Sequence, residues 1–126
     1  MEKEIISTDE APEAIGPYSQ AVKVGFFVFT AGQIALDPST QKMVKGGIKE
    51  QTEKVIKNLT AILKKAEYSL EDVVKAEVFL TTLEDFPDMN EVYANYFSHT
   101  KPARTTIIVK NLPKGALVEI SVIAVG

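Results

Sequence analysis

Hydrophobic and polar residues alternate with a period of two along several short stretches of the chain. This alternation is typical of β-strands, whose successive side chains point to opposite faces of a sheet. It predicts a strand at Val73–Thr81, and β-branched and aromatic runs predict strands at Ala21–Val24 and Phe26–Ala31. Further strands are expected at Lys3–Ser7, Arg104–Val109 and Leu117–Val125. Gly25 stands between the second and third strands and indicates a tight hairpin or a bulge.

The pattern changes at Ile48 to the 3.6-residue period of a helix. From there one helical stripe is apolar, formed by Ile48, Val55, Ile56, Leu59, Ile62, Leu63 and Ala66. The other face carries charges, including the pair Glu50 and Lys54, which stabilises a helix by about 0.3 kcal/mol. The aromatic-rich segment Phe86–Phe97 predicts a second helix, with Pro87 in its first turn.

The order of these elements predicts the fold class. Two segments are predicted to connect these elements. The prolines of Ala11–Tyr18 predict an ordered loop, and Leu36–Lys42 is a polar turn. The order is three strands, helix, strand, helix and two strands, so each helix must cross over and pack on a shared sheet. We expect an α+β fold with two helices on one face of a mixed β-sheet. No repeat or linker interrupts residues 1–126, which we interpret as a single domain.

Alternation also assigns strand side chains to the two faces of the sheet. The nearly all-apolar face expected to meet the helices holds Val74, Ala76, Val78, Leu80, Ile107, Val109, Val118, Ile120, Val122 and Ala124. The opposite face mixes charges with large apolar groups: Lys75, Glu77, Phe79, Arg104, Thr106, Ile108, Leu117, Glu119, Ser121 and Ile123. Soluble monomers usually avoid such exposed apolar patches, so we expect another copy of the chain to cover this face.

Composition excludes several chemistries. The 126 residues include no Cys and one His, so a disulfide, a cysteine nucleophile, a thiolate zinc site and a multi-histidine metal centre are excluded. The net charge of -3 comes without a basic block, which makes nucleic acid an unlikely partner. The start MEKEIIS lacks the features of a secretory signal, and the run Phe26–Phe29 is too short to span a membrane. We expect a cytoplasmic protein with no membrane contact.

Individual residues offer few candidates for a site. Arg104 and Glu119, expected to be partly out of water, are either site residues or a pair that binds each other, Lys75 or Glu77 across an interface. Tyr18, in the proline-bounded loop, either faces a site or anchors the loop to the core.

The remaining polar residues favour structural roles. His99 is expected at the surface or as a helix cap. The acidic residues in turns and at helix starts are expected to cap them, with a metal site less favoured: Asp37, Glu84, Asp85 and Asp88. No glycine-rich phosphate-binding loop is present.

Five ordered blocks carry a resemblance to a known family. They are APEAIGPYSQA (11–21), TAGQIALDPST (30–40), QTEKVIKNLTAIL (51–63), DVVKAEVFLTTLEDFPDMNEVYANYF (72–97) and PARTTIIVKNLPKGALVEISVIAV (102–125). The chain resembles, over nearly its whole length, the Rid family of reactive intermediate deaminases, in its RidA subgroup, also called YjgF-like. The resemblance implies a chorismate-mutase-like fold and a homotrimer with sites between neighbouring subunits. It also implies hydrolysis of 2-imino acids such as 2-iminobutanoate and 2-iminopropanoate, without a metal or another cofactor.

The resemblance further implies a role for each matching residue. Arg104 corresponds to the arginine that binds the substrate carboxylate, and Glu119 to the acidic residue near the imine. Tyr18 and Asn90 correspond to side chains of the pocket. Backbone groups of Gly32 and Thr106 are expected to supply further polar contacts.

The sequence also departs from the common family pattern at three positions. Ala31, Thr106 and Ser121 stand where many relatives have Ser, Cys and Glu respectively. The missing hydroxyl at Ala31 leaves the preferred substrate open. For the same reason, a non-enzymatic module that binds small carboxylates is an alternative to the deaminase function. A ribonuclease or translation inhibitor is a less favoured third function.

Overall fold

Eight strands and two α-helices make up the computed structural model, which describes residues 1–126. In chain order they are β1 (Lys3–Ile6), β2 (Ala21–Val24), β3 (Phe27–Thr30), β4 (Leu36–Asp37), β5 (Lys42–Met43), α1 (Ile48–Lys65), β6 (Val73–Leu80), α2 (Phe86–Phe97), β7 (Ala103–Ile108) and β8 (Val118–Val125). The six longer strands and both helices confirm the predicted order. The β4–β5 hairpin was not predicted, and it lies within and just after the segment interpreted as a polar turn.

Six strands form one sheet in the order β1-β2-β3-β8-β6-β7. The β6–β7 pair is parallel and the other neighbouring pairs are antiparallel, so the sheet is mixed as predicted. A parallel pair needs a crossover connection, which α2 provides between β6 and β7. Strand β7 therefore lies at the edge of the sheet, where only β6 pairs with it.

Both helices begin and end where their sequences favour it. At the start of α1 the Glu50 carboxylate accepts a hydrogen bond of 2.8 Å from the Gly47 N–H, which would otherwise lack a partner. Lys64 and Lys65 lie in its last turn, where positive charge suits the helix dipole. Helix α2 has Pro87 in its first turn, as predicted.

The core lies between the helices and one face of the sheet. The fully buried side chains come from both layers: Val55, Ile56, Leu59, Ile62 and Leu63 of α1, Met89 and Phe97 of α2, and Val28, Val78, Leu80, Val118 and Ile120 of the sheet. The α1 residues are the apolar stripe read from the sequence. The predicted α+β fold with two helices on one face of a mixed sheet is therefore confirmed. Neither helix is long and apolar enough to cross a membrane.

The register of β7 corrects the predicted face of Arg104. Arg104 pairs with Ala76, and Thr106 pairs with Val78, so both lie on the helix side of the sheet. The prediction that they share a face with Glu119 is wrong. Alternation misled here because an edge strand is only partly covered, and the apolar Ile107, assigned to the core, is 45% exposed on the other face.

Three further assignments from alternation are also wrong. An irregularity between Val73 and Lys75 buries Val73 and leaves Val74 exposed, so alternation is interrupted there. Ile108 pairs with Leu80 of the helix side rather than with the opposite face. Leu117 precedes β8 and packs against the core.

The face turned away from the helices carries many apolar side chains among its charged ones and is largely uncovered. We call it the open face, and its apolar members are Ile5, Val22, Val24, Phe27, Phe29, Phe79, Ile107, Ile123 and Val125. Phe27 and Phe29 stack with ring centroids 6.0 Å apart and remain 47% and 44% exposed. This apolar area is larger than the patch predicted from the sequence, and it includes Phe79 and Ile123 from that patch.

Candidate functional site

A buried glutamine fixes the loop that precedes β2. The Gln20 side-chain amide donates hydrogen bonds to the carbonyl oxygens of Thr8 (3.0 Å) and Pro12 (2.7 Å), and its oxygen accepts one of 2.7 Å from the Thr8 N–H. These bonds tie the proline-containing segment to the edge of the sheet, which confirms that Ala11–Tyr18 is an ordered loop. Tyr18 is thereby held beside a cavity, with 54% of its surface exposed.

The cavity beside this loop brings together three predicted site residues. It measures about 380 Å³ and includes Tyr18, Gly32 and Glu119 in its lining. The remaining wall is partly apolar, with contributions from Ile15 and Leu36. These apolar groups share the lining with polar side chains that include Gln33, Gln41 and Lys114. A cavity that combines apolar surface with converging polar groups is typical of a small-molecule site.

Gly32 and Glu119 are in unusually close contact. A Cβ atom at Gly32 would lie 2.4 Å from Glu119 Oε2, so only glycine leaves room for the carboxyl group. Two backbone hydrogen bonds between Gln33 and Ile120, of 2.9 and 3.1 Å, hold the two segments in this register. Because Gln33 and Ile120 directly follow Gly32 and Glu119 in sequence, these two hydrogen bonds fix the distance between Gly32 and Glu119.

No ion pair or hydrogen bond within the chain stabilises a negative charge on the Glu119 carboxyl group. It is partly buried, forms no ion pair and accepts no hydrogen bond from the protein. Burial alone raises its pKa above the ordinary value of a glutamate. A carboxyl group with a raised pKa can exchange a proton closer to neutral pH, which suits general acid–base chemistry.

Arg104 is the only arginine in the sequence and has no acidic partner. Its Nη1 donates a 2.8 Å hydrogen bond to Asn90 Oδ1. The guanidinium carbon lies 4.6 Å from the ring centroid of Tyr93 and 5.6 Å from that of Phe86. Lys101 lines the depression beside Arg104 and no acidic residue does, so this partly buried cation is open to an anion from outside the chain.

Thr106 follows Arg104 on the same side of β7. Its hydroxyl oxygen is buried and has no hydrogen-bond partner. The hydroxyl of Tyr93 on α2 is in the same state, and burial raises its pKa while the nearby Arg104 charge opposes the rise. Unpartnered buried hydroxyls are uncommon in folded proteins, and two of them lie beside the single arginine of this chain.

One chain does not unite all the predicted site residues. Arg104 and Asn90 line a second depression, on the helix side of the sheet edge, whereas Glu119 lies on the opposite side of β8. Strand β6 separates β8 from β7, which puts the two backbones about 10 Å apart. The alternative ion pair between Arg104 and Glu119 is absent from the chain, and Lys75 instead donates to the Thr105 hydroxyl.

The other polar candidates have structural surroundings. His99 is exposed beyond the end of α2. Asp37 accepts hydrogen bonds from the Ser39 N–H and hydroxyl, and these bonds lower its pKa. Burial raises the pKa of Asp85 at the start of α2, and nearby Asp88 adds to the rise. No group of three acidic or histidine side chains is arranged to hold a metal ion.

The sequence reading missed Gln20, Phe86 and Tyr93. A signal for the last two exists in the spacing of Phe86, Asn90 and Tyr93, which puts them on one side of α2. This spacing points to Arg104 only when the register of β7 is known. Gln20 lies in the resembling block 11–21, but nothing in its local pattern predicts burial.

Comparison with known proteins identifies the family. The family described as Endoribonuclease L-PSP matches residues 8–126. A RutC family protein of Pyrococcus abyssi is 57% identical over 98% of both chains. The 2-iminobutanoate/2-iminopropanoate deaminase of Mus musculus is 46% identical over 98% of this chain and 91% of its own length. The chain belongs to the YjgF/Rid family.

A solved Rid structure has the same fold. The crystal structure of RidA from an Antarctic Psychrobacter superposes with a TM-score of 0.93, at 47% identity and over 98% of this chain and 99% of the other. The resemblance inferred from the five sequence blocks is therefore confirmed. Names within the Rid family refer to more than one activity, so the reaction of this member has to be argued from its site.

Proposed function

We propose that this Rid protein hydrolyses 2-imino acids, such as 2-iminobutanoate and 2-iminopropanoate, to 2-keto acids and ammonia. The observation that carries the proposal is a pair of complementary groups that have no partner of opposite charge: the Arg104 cation and the Glu119 carboxyl group in its cavity. A 2-imino acid offers a carboxylate to the first and an imine to the second. The mouse relative, named for this activity, supports the assignment.

The proposed site needs two subunits. Arg104 and Glu119 lie on opposite sides of the sheet in one chain, and the open face is apolar enough to require a cover. We propose a homotrimer in which neighbours cover each other's open faces. Arg104, Asn90 and Thr106 of one subunit then meet Tyr18, Gly32 and Glu119 of the next in a shared cleft.

The chemistry suits residues that include no strong nucleophile. The Arg104 guanidinium binds the substrate carboxylate through two parallel hydrogen bonds, which fixes the imine carbon relative to Glu119. Glu119 orients a water molecule and accepts its proton as the new C–O bond forms at this electrophilic carbon. That proton passes to the imine nitrogen and gives a carbinolamine. The proton of the new hydroxyl group is then transferred to nitrogen through Glu119 as the C–N bond breaks, so that ammonia leaves and the 2-keto acid forms. Positioning and charge balance supply the catalysis.

A coupled assay tests the proposal. A threonine dehydratase generates 2-iminobutanoate, and release of 2-ketobutanoate is followed with and without the protein. We expect acceleration by the protein, and Arg104→Ala to lower kcat/KM about 100-fold, because two charge-assisted hydrogen bonds are lost. Lys110→Ala, at an exposed position in the same part of the chain, serves as the matched control and should retain activity. Absence of acceleration, or full activity of a trimeric Arg104→Ala protein, contradicts the proposal.

A non-enzymatic carboxylate-binding module is the second candidate. It is favoured by Ala31, which supplies no hydroxyl at a position next to Gly32 in the cavity lining. This function predicts calorimetric binding of 2-ketobutanoate that depends on Arg104, together with no imine turnover. Turnover in the coupled assay therefore decides against it. Ribonuclease activity requires RNA cleavage that survives stringent purification and is lost in a defined variant.

A further inference from the structure

One side of α2 faces the guanidinium of Arg104. Phe86, Asn90 and Tyr93 are spaced four and three residues apart, which places them along one stripe of the helix. Each of the three contacts or lies beside the guanidinium, Asn90 through a hydrogen bond and the two aromatic residues through their ring faces. The helix thus meets the single arginine of the chain with three side chains at once.

None of these three side chains carries a charge. Asn90 takes up one of the five N–H groups of the guanidinium, and the aromatic rings attract the cation without using any N–H group. An acidic residue at any of these positions would compete with a substrate carboxylate. The arrangement therefore holds Arg104 in place and leaves its charge and most of its donors available.

The Tyr93 ring is itself fixed. It is buried, and it packs against Phe97 with ring centroids 4.5 Å apart. Such a ring cannot turn away from the guanidinium without disturbing the core. A flat, immobile surface restricts the plane of a guanidinium, whereas a lysine ammonium in the same place has no plane to restrict.

We propose that Tyr93 and Phe86 are positioning residues, whose ring faces orient the Arg104 guanidinium so that its free N–H groups are presented to a carboxylate. The identity of that carboxylate, a 2-imino acid, rests on the proposed function. The role belongs to the ring of Tyr93, because it is the ring that lies 4.6 Å from the guanidinium carbon and is fixed by Phe97.

Activity measurements separate the ring from the hydroxyl. We expect Tyr93→Leu and Phe86→Leu each to raise KM for 2-iminobutanoate about 10-fold and to change kcat less than KM. Tyr93→Phe, which keeps the ring, should raise KM less than Tyr93→Leu does. Met89→Ala, a fully buried change on the same helix away from Arg104, controls for loss of packing and should keep the parent KM. An unchanged KM in both leucine variants overturns the proposal.

A double-mutant cycle tests whether the rings act through the arginine. In the Arg104→Lys background, Tyr93→Leu should raise KM less than twofold further, because an ammonium has no plane for the ring to orient. An equal effect of Tyr93→Leu in both backgrounds would mean a structural role only and would overturn the proposal. Phe86→Leu, in which a partly exposed side chain is shortened, provides the same cycle if Tyr93→Leu fails to fold.

Chemical modification provides a readout that needs no enzymatic activity. Phenylglyoxal reacts with guanidinium groups, and this chain contains only one. We expect Arg104 to react faster in folded Phe86→Leu and Tyr93→Leu than in the parent and Tyr93→Phe proteins, as measured by intact mass. Equal rates in all four overturn the positioning role. Failure of the coupled assay together with faster modification would refute the deaminase and leave the positioning role standing.

Discussion

At the scale of single residues, the site depends on the contact between Gly32 and Glu119. A methyl group at position 32 would displace the carboxyl group, since its Cβ would lie 2.4 Å from Oε2. We predict that Gly32→Ala folds with a loss of stability below about 1 kcal/mol, because the displaced atoms end a flexible side chain. Its deaminase kcat/KM should fall at least about 10-fold, because the carboxyl group leaves its position.

The control for this substitution is another glycine. A Cβ atom at Gly47 would meet only Glu50 Oε1, at an ordinary distance of 4.0 Å. Gly47→Ala should therefore retain activity, and its loss of stability should not exceed about 1 kcal/mol, from the less favourable residue at the N-cap of α1. Parent-like turnover in Gly32→Ala would show that the position of the Glu119 carboxyl group does not matter for the reaction.

The raised pKa of Glu119 also makes a prediction about stability. In the folded state Glu119 holds its proton to a higher pH than in the unfolded state, because burial disfavours the charged form. Protonated Glu119 therefore contributes to the free energy of unfolding. This contribution is fully present below the ordinary pKa of a glutamate and is lost as the pH rises through the raised pKa. Glu119→Gln should therefore have a higher unfolding temperature than the parent at pH 7, and the difference should disappear near pH 4.

Calorimetry of both proteins across this pH range measures the effect. Glu71→Gln, at an exposed position, shows what the loss of an unburied charge does and should change the unfolding temperature little. A parent protein more stable than Glu119→Gln at pH 7 would mean that a cation supports Glu119 in the assembled protein. That result would contradict a carboxyl group poised to exchange a proton near neutrality.

At the scale of elements, the sequence predicted most where one face of an element is fully buried. Helix α2 begins at Phe86 and ends at Phe97 as predicted, and the buried apolar residues of α1 are those of its predicted apolar stripe. Strand β8 also alternates between buried and partly exposed positions along its whole length. Hydrophobic residues recur regularly in these segments because one face of each element is buried in the core and the other is more exposed.

Prediction failed where this difference is weak. Edge strand β7 has no fully buried residue, so the apolar Ile107 could not reveal its face, and Arg104 was assigned to the wrong side. The positions of Arg104 and Thr106 depend on pairing with β6, a contact between distant segments. The sequence nevertheless predicted that Tyr18, Gly32 and Glu119 belong together, through the resemblance of their blocks to a family.

The loop that carries Tyr18 provides a test at this scale. Gln20→Leu removes the hydrogen bonds to Thr8 and Pro12 and leaves their backbone groups unpaired. We predict a loss of about 2 kcal/mol in the free energy of unfolding and faster chymotryptic cleavage after Tyr18. Thr52→Val removes a buried hydrogen bond within α1 and should not change cleavage. Unchanged cleavage in Gln20→Leu would show that other contacts hold the loop.

At the scale of the whole molecule, the proposed site requires two chains, and each chain leaves its open face largely uncovered. Glutamate at Phe29, in the middle of the open face, would bury an unpaired charge in the proposed trimer. We predict that Phe29→Glu sediments as a monomer and loses deaminase activity, although Phe29 lines neither half of the site.

Phe26 offers a matched control for this change. It is 71% exposed in the turn between β2 and β3, outside the open face. Phe26→Glu should remain trimeric and active, so a general effect of an added charge is excluded. A trimeric and active Phe29→Glu protein would contradict assembly through the open face.

The most direct test of a site shared between subunits is complementation of two inactive variants. Arg104→Ala and Glu119→Gln are denatured together in equal amounts and refolded, so that subunits mix within trimers. If each site takes Arg104 from one subunit and Glu119 from the next, roughly one quarter of the sites receive both residues in random assembly. We predict recovery of about a quarter of the parent deaminase activity. Mixed trimers with no more activity than either variant alone would contradict the shared site.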